Sequence, residues 1–246
     1  MGFSMKFEIK TFINGLEISR SEVLEWEKKR AKKVLAKLGE KSSVNDLNMM
    51  RQQLSQCKQK LGPSGILKIL KSELFISDIV ASITALISLG KRKFSTAELV
   101  SSHGSAEQFV LWFNQQSRSE NELPMIEAAP DHYVIRMRKD CSQEVVETNG
   151  GSPLVARFYI DYRDISSLRS DVDPDYSLQI SGVARARNGT ALGGVRHQFR
   201  DEGNGFRARL LVEYPSLIFP SILKGHQWHL ACEFSNWIEA YLSHKE

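Results

Sequence analysis

The alternation of apolar and polar residues is clearest from Ser177 to Tyr214, where it predicts three consecutive antiparallel strands. The dipeptide Asn188-Gly189 separates the first two strands, and it suits a two-residue type I′ turn because both central residues adopt positive φ. That turn sets a register in which Ile180 faces His197. A second turn at residues 202–205 returns the third strand alongside the second.

One face of this predicted sheet is apolar and the other is rich in arginine, because side chains alternate between faces. A fourth strand at residues 154–163 repeats the pattern. Like charges on neighbouring strands repel, so the arginine face requires compensation by DNA or RNA phosphates, by an acidic partner protein, or by carboxylates of the same chain. The predicted nucleic-acid contacts are Arg157, Arg185, Arg187, Arg196, Arg200, Arg207 and Arg209, with Lys91, Arg92, Lys93, Arg136 and Arg138 as further phosphate contacts earlier in the chain.

The last 26 residues contain one apolar stripe at helical spacing. Residues such as Leu230, Phe234, Trp237 and Ile238 fall on one side of a helix predicted over 221–242. This helix would cover the apolar face of the sheet. The fold class predicted is therefore α+β, with a helical N-terminal region followed by a four-stranded antiparallel sheet packed under a long C-terminal helix.

The N-terminal part is predicted to form a hairpin around Asn14-Gly15, followed by two helices. Ser19 and Glu22 form a capping box that opens the first helix. Gly62-Pro63 ends the second helix, which spans about 45–61. The apolar seam of this second helix either packs within its own domain or forms a homodimer or other protein contact. The seam consists of Leu47, Met50, Leu54, Cys57 and Leu61.

Residues 75–138 show a buried helix, two short helices that start at Ser95 and Ser105, and a two-stranded hairpin around residues 129–131. This order resembles that of winged-helix domains. The resemblance implies either DNA contact through the helix at 105–116 or a protein-contact role. The domains predicted are 1–62, a winged-helix-like module at 63–140, a polar linker at 141–152, and 153–246.

Composition and charge exclude several classes of protein. The 246 residues have a net charge of +4, contain no apolar run long enough to span a membrane, and begin without an apolar signal core. Cys57, Cys141 and Cys232 form no CxxC pattern and are interpreted as reduced thiols. We therefore expect a cytoplasmic protein with no membrane partner. Because no Walker loop, nucleophile elbow or HExxH motif occurs, the first hypothesis is a non-enzymatic nucleic-acid-binding or assembly protein without a cofactor.

Histidines of the C-terminal half support an alternative hypothesis. His226, His229 and Glu233 lie at i, i+3 and i+7 on the last helix, and His197 points toward that helix from the sheet. Such a set can bind zinc or iron. A strand histidine, an arginine-bearing strand and a helix histidine shortly before an acidic residue are similar to the tail of phloroglucinol hydrolases, a branch of the helix-grip proteins of the START and Bet v 1 type. This resemblance implies a ligand-binding or metal-dependent hydrolytic protein with a pocket between sheet and helix. An earlier His and Glu pair is not identified from the sequence.

Overall fold

A computed structural model describes residues 7–42 and 44–244, and its strands form one antiparallel sheet. The strands are β1 Ile9–Ile13, β2 Leu16–Ile18, β3 Arg92–Ser101, β4 His132–Met137, β5 Gln143–Glu147, β6 Ala156–Asp161, β7 Leu178–Arg185, β8 Ala191–Glu202 and β9 Gly205–Pro215. Their order across the sheet is β2-β1-β3-β9-β8-β7-β6-β5-β4. The expected four-stranded sheet is therefore wrong, since the sheet has nine strands.

The helices pack around this sheet. They are α1 Arg20–Lys37, α2 Leu47–Ile69, α3 Lys71–Ile87, α4 Ala106–Ser117, α5 Leu123–Glu127 and α6 Pro220–Ser243. The Ser19 capping box of α1 is confirmed. In α2 the backbone at Gly62 leaves helical geometry, as the Gly62-Pro63 signal predicts. Within the described residues, no helix has the length and apolar character needed to cross a bilayer.

The predicted strands between Ser177 and Tyr214 are confirmed, including most of their register. Ile180 pairs with His197 and Leu178 pairs with Phe199. A bulge after Ala184 shifts the pairing by one residue, so Arg185 pairs with Ala191. The hairpin turns at the predicted corner, but the predicted two-residue type I′ turn is wrong. Gly189 has a positive φ and Asn188 does not, and the N–H of Gly189 donates to the carbonyl oxygen of Ala186, so Arg187, Asn188 and Gly189 form a three-residue loop.

The extra strands come from segments that were interpreted differently. Residues 95–102 were expected to form a short helix, but residues 95–101 belong to β3, which pairs with β9 along its whole length. Ser95, Ala97, Leu99 and Ser101 are all buried there, so small and hydroxyl side chains concealed an alternating pattern. The predicted first strand of the 125–138 hairpin is also wrong, because it is occupied by α5. The element order of residues 75–138 consequently differs from three helices followed by a hairpin.

Residues 141–152 were expected to form a linker, but they contain β5 and a single 3-10 turn at Asn149–Gly151. Every residue of β5 is buried. Helix α6 lies on one face of the sheet, where Leu230, Phe234 and Ile238 enter the main core. Helices α1 and α2 bury a second core that includes Val134 and Val146 of β4 and β5. Both faces of β4 and β5 are therefore covered, and the seam of α2 is buried within the chain.

Two glycines bring α6 against the turn that follows β5. A Cβ on Gly225 would lie 1.9 Å from the carbonyl oxygen of Gly150, and one on Gly150 would lie 2.0 Å from the backbone of Gly225. Gly150 also has a φ of +56°, which favours glycine. Gly150, which suggested a linker, instead permits two backbones to touch. This contact places α6 close to the end of β5.

Candidate metal centre

Three buried side chains from two distant segments meet between the sheet and α6. His132 begins β4, and His229 and Glu233 lie one turn apart on α6. The Nε2 atoms of the two histidines are 3.1 Å apart, and Glu233 Oε2 lies 3.1 Å from His132 Nε2 and 3.6 Å from His229 Nε2. All three residues have the ligand atoms that zinc and iron prefer.

Glu147 adds a second carboxylate to this cluster. It ends β5 and is the cross-strand partner of His132. Its Oε2 lies 3.8 Å from His132 Nε2 and 3.6 Å from His229 Nε2. Because ligands 2.0–2.1 Å from a tetrahedral zinc are roughly 3.3 Å apart, these separations of 3.1–3.8 Å suit one ion between the donors.

The electrostatics of the cluster favour a cation. Burial lowers the pKa of His229, but the adjacent Glu233 and Glu147 outweigh this effect and raise it to about 9. Burial raises the pKa of Glu147, but His229, His132 and His226 lower it to about 2. In the absence of an ion, a proton between the histidine and the carboxylates supplies the positive charge that the two acids require.

Hydrogen bonds outside the cluster orient its histidines. His132 Nδ1 lies 2.9 Å from the carbonyl oxygen of Met125, so it carries the proton and leaves the Nε2 lone pair facing the cluster. His229 Nδ1 is buried and has no hydrogen-bond partner among the described residues. The His229 ring instead packs edge-on against Trp26 of α1, with 6.4 Å between ring centroids.

A buried ion pair holds the two strands that carry His132 and Glu147. Arg30 of α1 donates to both oxygens of Asp131, at 2.8 and 2.6 Å, and to Thr148 Oγ1 at 3.0 Å. Thr148 Oγ1 also donates to Asp131. Asp131 directly precedes one ligand and Thr148 directly follows another. We call Arg30, Asp131 and Thr148 the arginine clamp.

The cluster borders a cavity of about 260 Å³ between the sheet, α3 and α6. His132, Glu147 and Glu233 line it together with His197 and mostly apolar residues of β6, β8, β9 and α6. A cavity between sheet and last helix agrees with the alternative hypothesis. Its apolar wall suits a small, largely apolar ligand.

Four metal-binding residues were predicted from the sequence, and the structure brings only His229 and Glu233 into the cluster. His226 lies outside it: its Nδ1 is 3.0 Å from Ser95 Oγ, and burial lowers its pKa to about 3. His197 also lies outside it, because its Nδ1 accepts from the backbone N–H of Leu211. Burial lowers the pKa of His197 to about 3, so the ring is neutral and its Nε2 carries the proton.

His132 and Glu147 were missed because neither belongs to a spacing motif. Fifteen positions and a hairpin separate them, and only the strand pairing brings them together. The available signal was an acidic residue within the apolar run Val145-Val146-Glu147. A carboxylate at the end of a strand that is buried on both faces requires a cationic partner.

The arginine face has partners within the chain. Arg207 bonds to Glu202 and Glu98, and the other sheet arginines mostly have a carboxylate or amide oxygen within reach. The pairs are Arg157–Asp78, Arg185–Asp164, Arg196–Gln179, Arg200–Glu202 and Arg209–Asp173; earlier in the chain they are Arg92–Glu213, Arg136–Glu144 and Arg138–Asp140. Among the described residues, none forms a hydrogen bond or ion pair with the side chains of Lys91, Lys93 and Arg187. Compensation by the chain's own carboxylates accounts for most of the face, and nucleic-acid binding stays a prediction.

No protein-family model matches this sequence, and a search of the curated proteins finds no significant match.

Proposed function

We propose that this protein is a metal-dependent hydrolase that binds zinc through His132, His229 and Glu233, with Glu147 as the fourth donor or as a general base. The observation that carries the proposal is the convergence of two imidazole nitrogens and a carboxylate oxygen within 4.8 Å of one another, beside a cavity. Two histidines and a glutamate are a common catalytic zinc set. The same set also suits non-haem iron, which is the second metal to test.

The donors suit a resident ion. His229 Nε2 lies 3.1–3.6 Å from ligand atoms of His132, Glu147 and Glu233, and one proton on this nitrogen serves a single acceptor well, whereas one ion would contact all four atoms. A bound zinc ion would also polarise a carbonyl oxygen and lower the pKa of a coordinated water. Glu147 and Glu233 would compensate the charge of the ion, and the arginine clamp would hold the strand ends in place.

The hydrogen-bonding groups that line the cavity indicate the chemistry of its ligand. Tyr162 donates to Gln143 Oε1 at 2.9 Å, and Tyr214 donates to Asn149 Oδ1 at 3.1 Å, so both hydroxyl protons are engaged within the chain. The neutral His197 has its Nε2 proton left to donate. We infer a small, apolar carbonyl compound whose oxygen accepts from His197, with hydrolysis of the bond next to that carbonyl.

The arrangement also supplies what the resemblance to the phloroglucinol hydrolases lacked. His132 and Glu147 provide a His and Glu pair that precedes His229 and Glu233 in the chain, and the cavity lies between the sheet and the last helix. A helix-grip hydrolase of this kind remains our proposal. The three free cysteines are consistent with the proposed cytoplasmic location.

Metal analysis tests the proposal directly. Protein purified without chelator and without nickel resin should contain about one zinc or iron per chain, and His229→Ala and Glu233→Gln should lose it. His226→Ala is the matched control, because His226 is one turn away, is equally buried and lies outside the cluster. Wild-type protein that binds neither metal, even after reconstitution, would refute the metal centre. Chelator-sensitive hydrolysis of a panel of aryl ketones and esters would then test the reaction.

A further inference from the structure

Helix α3 presents an apolar face to solvent. From Phe75 to Ile87 its exposed residues are all large and apolar and are 45–72% exposed, whereas an ordinary surface helix is polar on that side. They are Phe75, Ile76, Ile79, Val80, Ile83, Leu86 and Ile87. From the sequence this segment was expected to be buried, and within this chain it is not.

The polar residues of α3 after Phe75 are buried or half-buried on its other side. Ser77 is buried, and Asp78 forms an ion pair with Arg157 of β6 at 2.8 Å. Asp78 is the only charged residue between Phe75 and Leu89. The outward face can therefore be removed from water without burying an unpaired charge.

The spacing of the outward residues fits a helical partner. Ile76, Ile79, Ile83 and Leu86 follow intervals of three, four and three residues, which form the seam for packing against a second helix. Binding to a lipid surface requires no such seam. Basic residues along the polar side of a helix favour lipid binding, and the only basic residue of α3 is Lys71, at its first position.

We propose that the outward face of α3 binds α3 of a second copy of this chain, as an isologous dimer interface. Burial of a large apolar side chain is worth about 1.5–3 kcal/mol at about 25 cal/mol per Å², or roughly 60–120 Å² of apolar surface each. The segment of the exposed Leu217 and Phe219 adjoins the end of α3, because the N–H of Leu217 donates to Ser88 Oγ at 3.2 Å. The seven side chains of the outward face, each about half exposed, together with Leu89, Leu217 and Phe219 offer roughly 350–700 Å². A standard interface buries about 800 Å² per partner, of which about 450–500 Å² is apolar.

The interface would also complete one wall of the cavity. Val80, Ala81 and Thr84 of α3 line the cavity, as do Leu217 and Phe219. Val80 belongs both to the outward face and to the cavity wall. A second copy seated on α3 would therefore exclude water from the side of the cavity that this helix forms.

Sedimentation equilibrium tests the interface. Wild-type protein should sediment as a dimer, and the double variant Ile79→Glu/Ile83→Glu as a monomer with an unchanged circular dichroism spectrum. Leu111→Glu is the matched control, because Leu111 of α4 is 61% exposed and lies outside the face, and it should leave the dimer intact. A monomeric wild-type protein at high micromolar concentration would overturn the proposal. So would monomers that float with vesicles of anionic lipid.

Cross-linking gives an independent result. Near a two-fold axis a residue lies beside its own copy, so Ile83→Cys in a Cys141→Ser background should form covalent dimers with a short bis-maleimide reagent. Cys141 is the exposed native cysteine, and Cys57 and Cys232 are buried. Leu111→Cys in the same background should not cross-link. Equal cross-linking of both variants would contradict the α3 interface. Because these readouts need no metal, they can fail independently of the proposed function.

Discussion

The arginine clamp provides the sharpest prediction about the candidate metal centre. Arg30 contacts no ligand, but its guanidinium holds Asp131 and Thr148, the chain neighbours of His132 and Glu147. Arg30→Met retains much of the side-chain volume and removes all of these hydrogen bonds. We expect this variant to lower metal affinity as well as folding stability.

The magnitudes follow from burial. Asp131 is fully buried, so removal of Arg30 takes away its ion-pair partner; loss of one partner of a buried ion pair typically costs about 3–5 kcal/mol of folding stability, and the remaining Thr148 hydrogen bond and the nearby Lys58 place this variant toward the lower value. Loss of residues that orient metal ligands typically lowers affinity about 10–100-fold. That factor corresponds to about 1.4–2.7 kcal/mol of binding free energy. Arg30→Lys keeps the charge but not the two-pronged geometry, so its effect on affinity should be intermediate.

The assay is competition for zinc with a chromophoric chelator at pH 7, paired with thermal unfolding with and without zinc. A ligand that binds only the native state stabilises it by RT ln(1 + [L]/Kd), so the zinc-induced rise in Tm should shrink in Arg30→Met. Arg51→Met is the matched control. Arg51 forms a similar bidentate pair with the buried Glu27, at 2.6 and 2.7 Å, but neither residue adjoins a ligand. This control should lose stability and keep zinc affinity.

Two results would refute the role of the clamp. One is an Arg30→Met protein that loses stability but binds zinc as tightly as wild type. The other is an equal loss of affinity in Arg51→Met, since that would show a general effect of destabilisation. If Arg30→Met does not fold, Arg30→Lys decides the question through its affinity alone.

Three further predictions concern other parts of the molecule. Gly225→Ala should force α6 away from Gly150 and lower both the metal content and the Tm, whereas Gly65→Ala, whose Cβ has its nearest neighbour at 3.4 Å, should change neither. Burial lowers the pKa of Lys58 to about 8 in the folded protein, so the unfolded chain binds more protons between about pH 8 and 10.5 and stability should rise with pH in that window. In urea unfolding at pH 7 and 10, the wild type should gain on the order of 3 kcal/mol relative to Lys58→Met, and a pH-independent difference would contradict this. Arg207→Glu should lower stability by about 1 kcal/mol because it breaks the pairs with Glu202 and Glu98. Anisotropy titrations of wild type and Arg207→Glu with DNA and RNA at two salt concentrations test the nucleic-acid hypothesis, which requires salt-dependent binding that this variant loses.

Short sequence patterns predicted those elements that depend on residues close together in the chain. The hairpin at Asn188-Gly189, the Ser19 capping box and the apolar stripe of α6 each depend on residues a few positions apart, and all three are confirmed, although the hairpin turns through a three-residue loop and not through the predicted type I′ turn. Strand β3 was missed because helix-start chemistry at Ser95 competes with an alternation of small residues, and pairing with β9 decides the outcome. Pairing between residues more than 100 positions apart cannot be recognised from a short stretch of sequence.

The same difference between short-range and long-range contacts explains why only part of the candidate metal centre was predicted. His229 and Glu233 are one helical turn apart, so their spacing reveals them. The His132 and Glu147 pair depends on the register of β4 with β5, and the turn after β5 was interpreted as a linker because of its two glycines. In the fold Gly150 has the opposite effect: together with Gly225 it allows α6 to approach closely enough for His229 to reach Glu147 at 3.6 Å.

The helices that cover the second face of β4 and β5 bear on function. A cavity between a sheet and one helix needs only one covered face, yet α1 and α2 cover the other face at these two strands. Helix α1 contributes Arg30 of the arginine clamp. Lys58 of α2 donates to the carbonyl oxygen of Pro130 at 3.1 Å, two residues before His132. The N-terminal helices therefore fix the strand ends that carry half of the ligand set, since unsupported strand ends fray and a zinc ion tolerates little displacement of its donors. By this reasoning the N-terminal helices support the proposed metal centre, and a chain without them should lose metal even where its sheet and α6 persist.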